Sequence, residues 1–353
     1  MRLAGSAFLL LTSAALTAQT PPPKPPAPPA AQGPAAAPVA APTPSTTPPV
    51  DPKIMQVQVV LDLLGFGPGV IDGKQGQSLK LALSGFQTAN DLPSSGTVDP
   101  ATAAALQRFG ATQPVREIVL TPPDLAGPFV GPIPHGEDEQ AKLPTLGYQN
   151  ALEMLAERYH TTPATLIALN SPDTKLVPGT KLRVPNVVTP DRAYPPQAKP
   201  EWKATLAGLN VSSKQPQADH IVVSKAKKSL SVYDAQQKLV AQFPVTTGST
   251  HDPLPLGDWK IYGADTNPKF HYNPKLFWDA KAGDQKAMLP PGPNGPVGVV
   301  WLDLSKEHYG IHGTPEPQNI GRTASHGCVR MTNWDAARLA LMVKPGTKAI
   351  FEE

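Results

Sequence analysis

Proline decides where this chain can be compact. A large share of its 45 prolines falls in residues 19–50, and Pro190, Pro195, Pro196 and Pro200 cluster within residues 189–216. A pyrrolidine ring fixes φ and removes a backbone donor, so such stretches support neither a helix interior nor a central strand. Residues 19–50 are otherwise mostly Ala and Thr with one charge, Lys24, and cannot bury enough apolar surface to fold. They read as a polyproline II linker; residues 21–50 would reach roughly 90 Å at ~3.1 Å per residue. Residues 189–216 read as a second linker. Globular composition is left to residues 51–110, 111–188 and 217–353, consistent with a chain of 353 residues holding more than one domain. Cys328 is the single cysteine, so no internal disulfide forms and each domain is expected to be held by its own core.

Residues 1–18 carry Arg2, an apolar run from Ala7 to Leu16 and small residues at Thr17-Ala18. That is the pattern of a secretory signal peptide. Cleavage after Ala18 and retention as an anchor both stay open, although the run is short for a bilayer. The protein is expected to be exported, to the periplasm or cell envelope. The net charge of +3 leaves no footprint for nucleic acid, no integral membrane partner is evident, and no pattern signals an oligomer.

Within residues 51–110, Val57, Val60, Leu61 and Leu64 recur at helical spacing before Gly65. A second helix is expected near Ser78–Ala89, with Leu79, Ala82, Leu83 and Phe86 on one face. Asp99-Pro100 caps a third. Asp72 and Asp99 read as turn and cap residues. The order Ile71-Asp72-Gly73-Lys74-Gln75-Gly76, Phe86-Gln87, Gly96-Thr97-Val98-Asp99 resembles the three-helix peptidoglycan-binding domain, which implies wall binding; a structural spacer is the other reading. Residues 111–142 are loop-rich with room only for short strands. Two helices, at Ala151–His160 and after Thr162-Pro163, then precede a turn and strand at Val177–Pro185. This run resembles a LysM module, a glycan-binding fold, except that Leu146–Asn150 replaces the usual opening of that motif.

The residues that carry chemistry lie in 217–353, where alternating segments at 220–223, 229–233 and 239–245 predict a strand-rich domain with one helix near Asn333–Val343. Ile311-His312-Gly313-Thr314 is followed, after a loop, by Ser325-His326-Gly327-Cys328-Val329-Arg330. A lone Cys is commonly a small buried hydrophobe. Here it sits among glycines, two positions from one imidazole and a loop away from another, and a nearby imidazole is what makes a thiol nucleophilic. The pattern points to acyl transfer. His312 is the expected base, because His326 sits on a tight turn too close to the sulfur for free geometry. Amides of His326, Gly327 and Cys328 can face an oxyanion. Arg330 can hold a substrate carboxylate or form a structural ion pair, and Ser325 and His326 are placed beside it as substrate contacts. In the irregular stretch 264–297, Tyr272, Phe277 and Trp278 either line a groove or anchor the loop. No partner Cys is present and the histidine spacing fits no zinc pattern, so neither metal nor cofactor is called for.

These motifs, with Pro255-Leu256-Gly257-Asp258-Trp259-Lys260-Ile261 upstream and Asn333–Ala337 and Val343–Thr347 downstream, resemble the L,D-transpeptidases of the YkuD type over residues 217–353. The resemblance implies a mixed β-sandwich catalytic domain behind a small all-α domain and a small α+β module. It implies Cys328 as nucleophile, His312 as base, and the Gly313 carbonyl orienting the imidazole. It also implies peptidoglycan stem peptides as donor and acceptor on glycan strands. A tetrapeptide would lose its terminal D-Ala to a Cys328 thioester that an amine resolves as a 3–3 cross-link. Water would make the same site an L,D-carboxypeptidase and a protein amine an anchoring enzyme; an inactive wall-binding scaffold is the other class. Acylation of Cys328 by carbapenems is a further implication.

Overall fold

The computed structural model describes residues 50–188, 191–277, 280 and 283–353. The expected signal segment, nearly all of the first linker, and Trp278 lie outside the described residues. The N-terminal helices α1 (Pro52–Leu63), α2 (Gln77–Ala89) and α3 (Pro100–Leu106) form where spacing predicted them. Proline opens α1 and α3, where its missing N–H costs nothing. The Asp51 carboxylate accepts from the Lys53 amide at 2.8 Å, and Asp99 caps α3 by accepting from the Thr102 amide at 2.8 Å.

Next come β1 (Val115–Val119), the single turn α4 (Glu137–Gln140), α5 (Ala151–Arg158), α6 (Pro163–Leu169) and β2 (Lys181–Pro185). β1 and β2 pair antiparallel across the intervening helices, Val115 opposite Pro185. Helix α7 (Pro200–Gly208) follows. It corrects the reading of residues 189–216 as a linker: Trp202, Leu206, Leu209 and Val211 are buried in the core of the C-terminal domain. Pro200 does not break this helix, because it stands at the first helical turn.

The C-terminal strands are β3 (His220–Ser224), β4 (Ser229–Tyr233), β5 (Leu239–Pro244), β6 (Gly257–Thr266), β7 (Phe270–Tyr272), β8 (Ala287–Leu289), β9 (Val300–Leu304), β10 (Gly310–His312) and β11 (Val329–Arg330). Helix α8 (Asn333–Met342) and β12 (Lys348–Glu352) close the chain. Among the described residues one eight-stranded mixed sheet runs β11-β10-β9-β6-β12-β3-β4-β5. Long β6 pairs with β12 through its first half and with β9 through its second, with a register shift between Ile261 and Gly263. The expected sandwich is therefore two leaves of one curled sheet, folded around a core that includes Val223, Leu230, Leu302, Ile311 and the buried indole of Trp334.

The modules do not have separate cores, contrary to the expectation drawn from the lack of disulfides. Met55, Val59 and Ile71 of the helical segment pack with Leu155, Leu166 and Val184 of the middle one. Leu61, Phe66, Leu83 and Phe86 pack on Leu239 of the sheet. The Gln242 side-chain amide donates to the Leu81 carbonyl at 2.8 Å, and the Gly67 amide donates to the Gln242 carbonyl at 2.8 Å. The helices thus cover edge strand β5, which would otherwise expose an unpaired ladder. Charged groups are sealed in as well. Arg338 of α8 donates to the Asp62 carboxylate at 3.1 Å and to its carbonyl at 2.7 Å, all buried. The described residues lie in one compact unit, and no helix among them is long and apolar enough to cross a membrane.

Candidate active site

Parallel pairing of β10 with β11 brings the two motifs together. Ile311 lies opposite Val329 and His312 opposite Arg330. Strand alternation sends fully buried Ile311 and Val329 into the core and puts His312 and Arg330 on the other face. β11 is short, and Thr246 pins its free side: the Thr246 amide donates to the Arg330 carbonyl at 3.0 Å and the Arg330 amide returns a bond at 2.9 Å.

His312 is buried, with Nδ1 2.7 Å from the Gly313 carbonyl. A carbonyl only accepts, so Nδ1 carries the hydrogen and the lone pair sits on Nε2. Burial pushes the imidazole pKa down to about 3, the Arg330 charge pushes the same way, and the Gly313 carbonyl opposes both. On the neighbouring strand Trp301 pairs with His312, and the two rings stack at 5.6 Å and 21°. Burial pushes the Cys328 thiol up, against a backbone hydrogen bond from Gly310 and the charge of Arg330. Its Sγ lies 3.9 Å from the His308 carbonyl. The resting pair is therefore thiol and neutral imidazole, with Arg330 favouring the thiolate and disfavouring the imidazolium.

The turn before the sulfur is held tightly. Ser325 is buried; its hydroxyl donates to the Cys328 carbonyl at 2.5 Å, and its amide donates to the Thr247 carbonyl at 3.0 Å. The hydroxyl of Ser325 is thus committed to the turn, while the residue also lines the cavity that holds Cys328. Gly327 has φ +98, and a Cβ there would run into the Tyr309 ring, so the position demands glycine. His326 meets Phe277 edge-on, with centroids 5.1 Å apart.

His312, His326, Cys328 and Arg330 share a cavity of about 960 Å³. Tyr272 and Phe277 both line it, and they also stack on each other at 5.5 Å, while the Tyr272 hydroxyl donates to Asp284 at 3.1 Å. They wall the groove and anchor its loop at once. Sequence reasoning missed Trp301, Tyr309 and the segment around His135–Asp138 that forms another part of the wall. Alternation along β9 carried a signal for Trp301; nothing local marked residues 135–138.

Residues 218–351 match the family model YkuD, described as an L,D-transpeptidase catalytic domain, and residues 50–106 match one described as "Putative peptidoglycan binding domain". The Bacillus licheniformis protein named "Putative L,D-transpeptidase YkuD" is 34% identical over 128 residues, covering 36% of this chain and 62% of its own. "Probable L,D-transpeptidase YbiS" of Escherichia coli K12 is 30% identical over 135 residues, covering 37% of this chain and 44% of its own. The solved structure of an L,D-transpeptidase from Mycobacterium smegmatis aligns with 38% of this chain and 58% of its own, at 17% identity and a TM-score of 0.31. The chain thus spans less than two thirds of the length of these relatives.

Proposed function

We propose that the chain, whose residues 218–351 match the YkuD model of L,D-transpeptidase catalytic domains, cross-links peptidoglycan by cysteine acyl transfer. The observation that carries this reading is the His312 tautomer. With Nδ1 given to the Gly313 carbonyl at 2.7 Å, Nε2 is the basic nitrogen, and His312 lines the cavity that Cys328 also lines.

In the reaction, Nε2 of His312 takes the thiol proton as the Cys328 sulfur attacks the carbonyl between the third stem residue and the terminal D-Ala. Amides of the His326–Cys328 turn hold the oxyanion. His312 returns the proton to the departing D-Ala amine, leaving a thioester. An acceptor amine then attacks, His312 takes its proton, and the thiol is regenerated. Because burial and Arg330 disfavour the imidazolium, His312 is neutral at working pH and its Nε2 lone pair is open to a proton. Arg330 is assigned to a substrate carboxylate.

The remaining modules fit this setting. The helical segment is read as wall-binding. The order β1, α5, α6, β2 with an antiparallel strand pair supports a LysM-like reading of residues 111–188. Export through residues 1–18 to the periplasm or cell envelope completes the proposal, with residues 19–50 as spacer. Tethering to the wall would raise the effective concentration of donor at the cavity.

Product analysis with a disaccharide-tetrapeptide tests it. A cross-linked dimer that forms with wild-type protein and not with Cys328→Ala supports transpeptidation. Tripeptide alone would reassign the site to carboxypeptidase, and intact muropeptide with both proteins would leave a binding scaffold.

A further inference from the structure

We propose that Glu157, on helix α5 of the middle module, is a positioning residue for the catalytic imidazole, acting through Asn333. This rests on the reading of His312 as the base for Cys328.

The connection runs through buried side chains. Asn333 opens α8 and is fully buried. Its carboxamide oxygen accepts from the Val299 amide at 3.1 Å and fills the space that a Cβ on Gly298 or Gly313 would need. Its carboxamide nitrogen donates to the Pro293 carbonyl at 3.0 Å and to the Glu157 carboxylate at 2.7 Å. Gly313, against which this carboxamide is wedged, presents the carbonyl that accepts from His312 Nδ1 at 2.7 Å. A primary amide has two faces of opposite character, and only one orientation satisfies both Val299 and Glu157. Without Glu157, the Val299 side of the amide is still held while its nitrogen loses one of two acceptors.

The geometry makes this more than domain adhesion. Gly313 has no side chain, so the packing of Asn333 against it fixes the peptide plane that sets the ring angle of His312. Catalytic geometry is sensitive at this scale, since misplacement of about 1 Å can cost on the order of a hundredfold. The carboxylate comes from outside the residues that match the catalytic family, 218–351. The middle module would then have a duty at the active site in addition to any glycan it binds.

The test compares Glu157→Gln, which keeps an acceptor for Asn333, with Glu157→Leu, which keeps the volume and removes it. The readout is the rate of Cys328 alkylation by iodoacetamide from pH 5 to 9 in the full chain, with melting temperature alongside. Alkylation needs a base-assisted thiol and no knowledge of the substrate. The expected result is Glu157→Gln within about twofold of wild type and Glu157→Leu slower by roughly fivefold or more near pH 7, a shift in the pH profile rather than a uniform loss. Steady-state turnover should show the change in kcat with KM unaltered. Equal reactivity of Glu157→Leu and wild type would overturn the assignment. So would equal losses in both variants, because the Gln acceptor should rescue. If Glu157→Leu does not fold, Glu157→Asp, which keeps the carboxylate but shortens its reach by a methylene, is read in the same way. His312→Gln serves as the reference: if it alkylates as fast as wild type, the proposed function fails independently of Glu157.

Discussion

His160 lies flat on Trp334, with ring centroids 5.0 Å apart and planes 4° from parallel. One ring belongs to the middle module and the other to the helix that follows the turn carrying Cys328. The same His160 reaches Asp62 of α1 at 3.1 Å, and Asp62 is bound by Arg338 of α8. Three segments that read as separate beads in sequence therefore meet at one buried charge cluster.

Removing one member of such a cluster takes a buried charge's closest partner away: without the Asp62 carboxylate, Arg338 is left with Asp335 at 3.7 Å. Burial opposes ionisation of Asp62, yet His160 and Arg338 hold its carboxyl below the usual range. Asp62→Asn should cost about 3–5 kcal/mol in urea unfolding near neutral pH. The deficit should shrink as pH falls from the ordinary carboxylate value of 3.8 through the lowered folded value, and be gone once the folded wild-type carboxyl is protonated as well. A change within experimental scatter would mean that the cluster is not a structural centre.

Burial pushes Glu157 up to about 7 from 4.5, the usual value for a glutamate. A group whose folded pKa is raised contributes stability that is complete below its unfolded value and lost as pH rises through the folded one. Glu157→Gln should therefore melt above wild type by a margin that opens between pH 4.5 and 7 and reaches at most about 3 kcal/mol. Asp335, raised by burial to about 6, has the same sign, and His312 the opposite one, so the difference between the two proteins isolates Glu157. A margin that is constant with pH would contradict the raised value.

Ser325→Ala removes the hydroxyl that fixes the Cys328 carbonyl. The expectation is a fall in kcat of about tenfold, equivalent to roughly one hydrogen bond, with KM unchanged. A rise in KM at constant kcat would instead assign Ser325 to substrate contact.

The acid limb of kcat/KM should lie well below the ordinary histidine range, because His312 is held neutral down to about pH 3. Arg330→Gln removes the charge that helps burial keep it neutral, so the limb should move up in pH even as overall kcat/KM falls. A wild-type limb near the ordinary histidine pKa of about 6.5 would show that another group, or a different His312 environment, controls the reaction.

The candidate site could be picked out because its residues lie in two contiguous runs, which the parallel pairing of β10 with β11 brings side by side. The first three helices were legible for the same reason, since Asp51, Asp99 and their prolines are local signals. Helix α7 was misread because the prolines ahead of it hid the pair Trp202 and Leu206, four positions apart, which marked a buried face. The shared cores were not legible at all. Leu61 on Leu239, or Met55 on Leu155, is chosen by packing over long separations, and each residue looks like any core residue in its own segment. Asn333 was visible only as a helix start; its contacts with Val299, Gly313 and Glu157 are tertiary.

The most direct test of cysteine acyl transfer at this site is rapid-quench intact-protein mass spectrometry after mixing the full chain with disaccharide-tetrapeptide. The prediction is an adduct of the donor minus one alanine, mapped to Cys328 by digestion, absent from Cys328→Ala and strongly reduced in His312→Gln. An adduct on any other residue, or dimer formation that persists in Cys328→Ala, would contradict it.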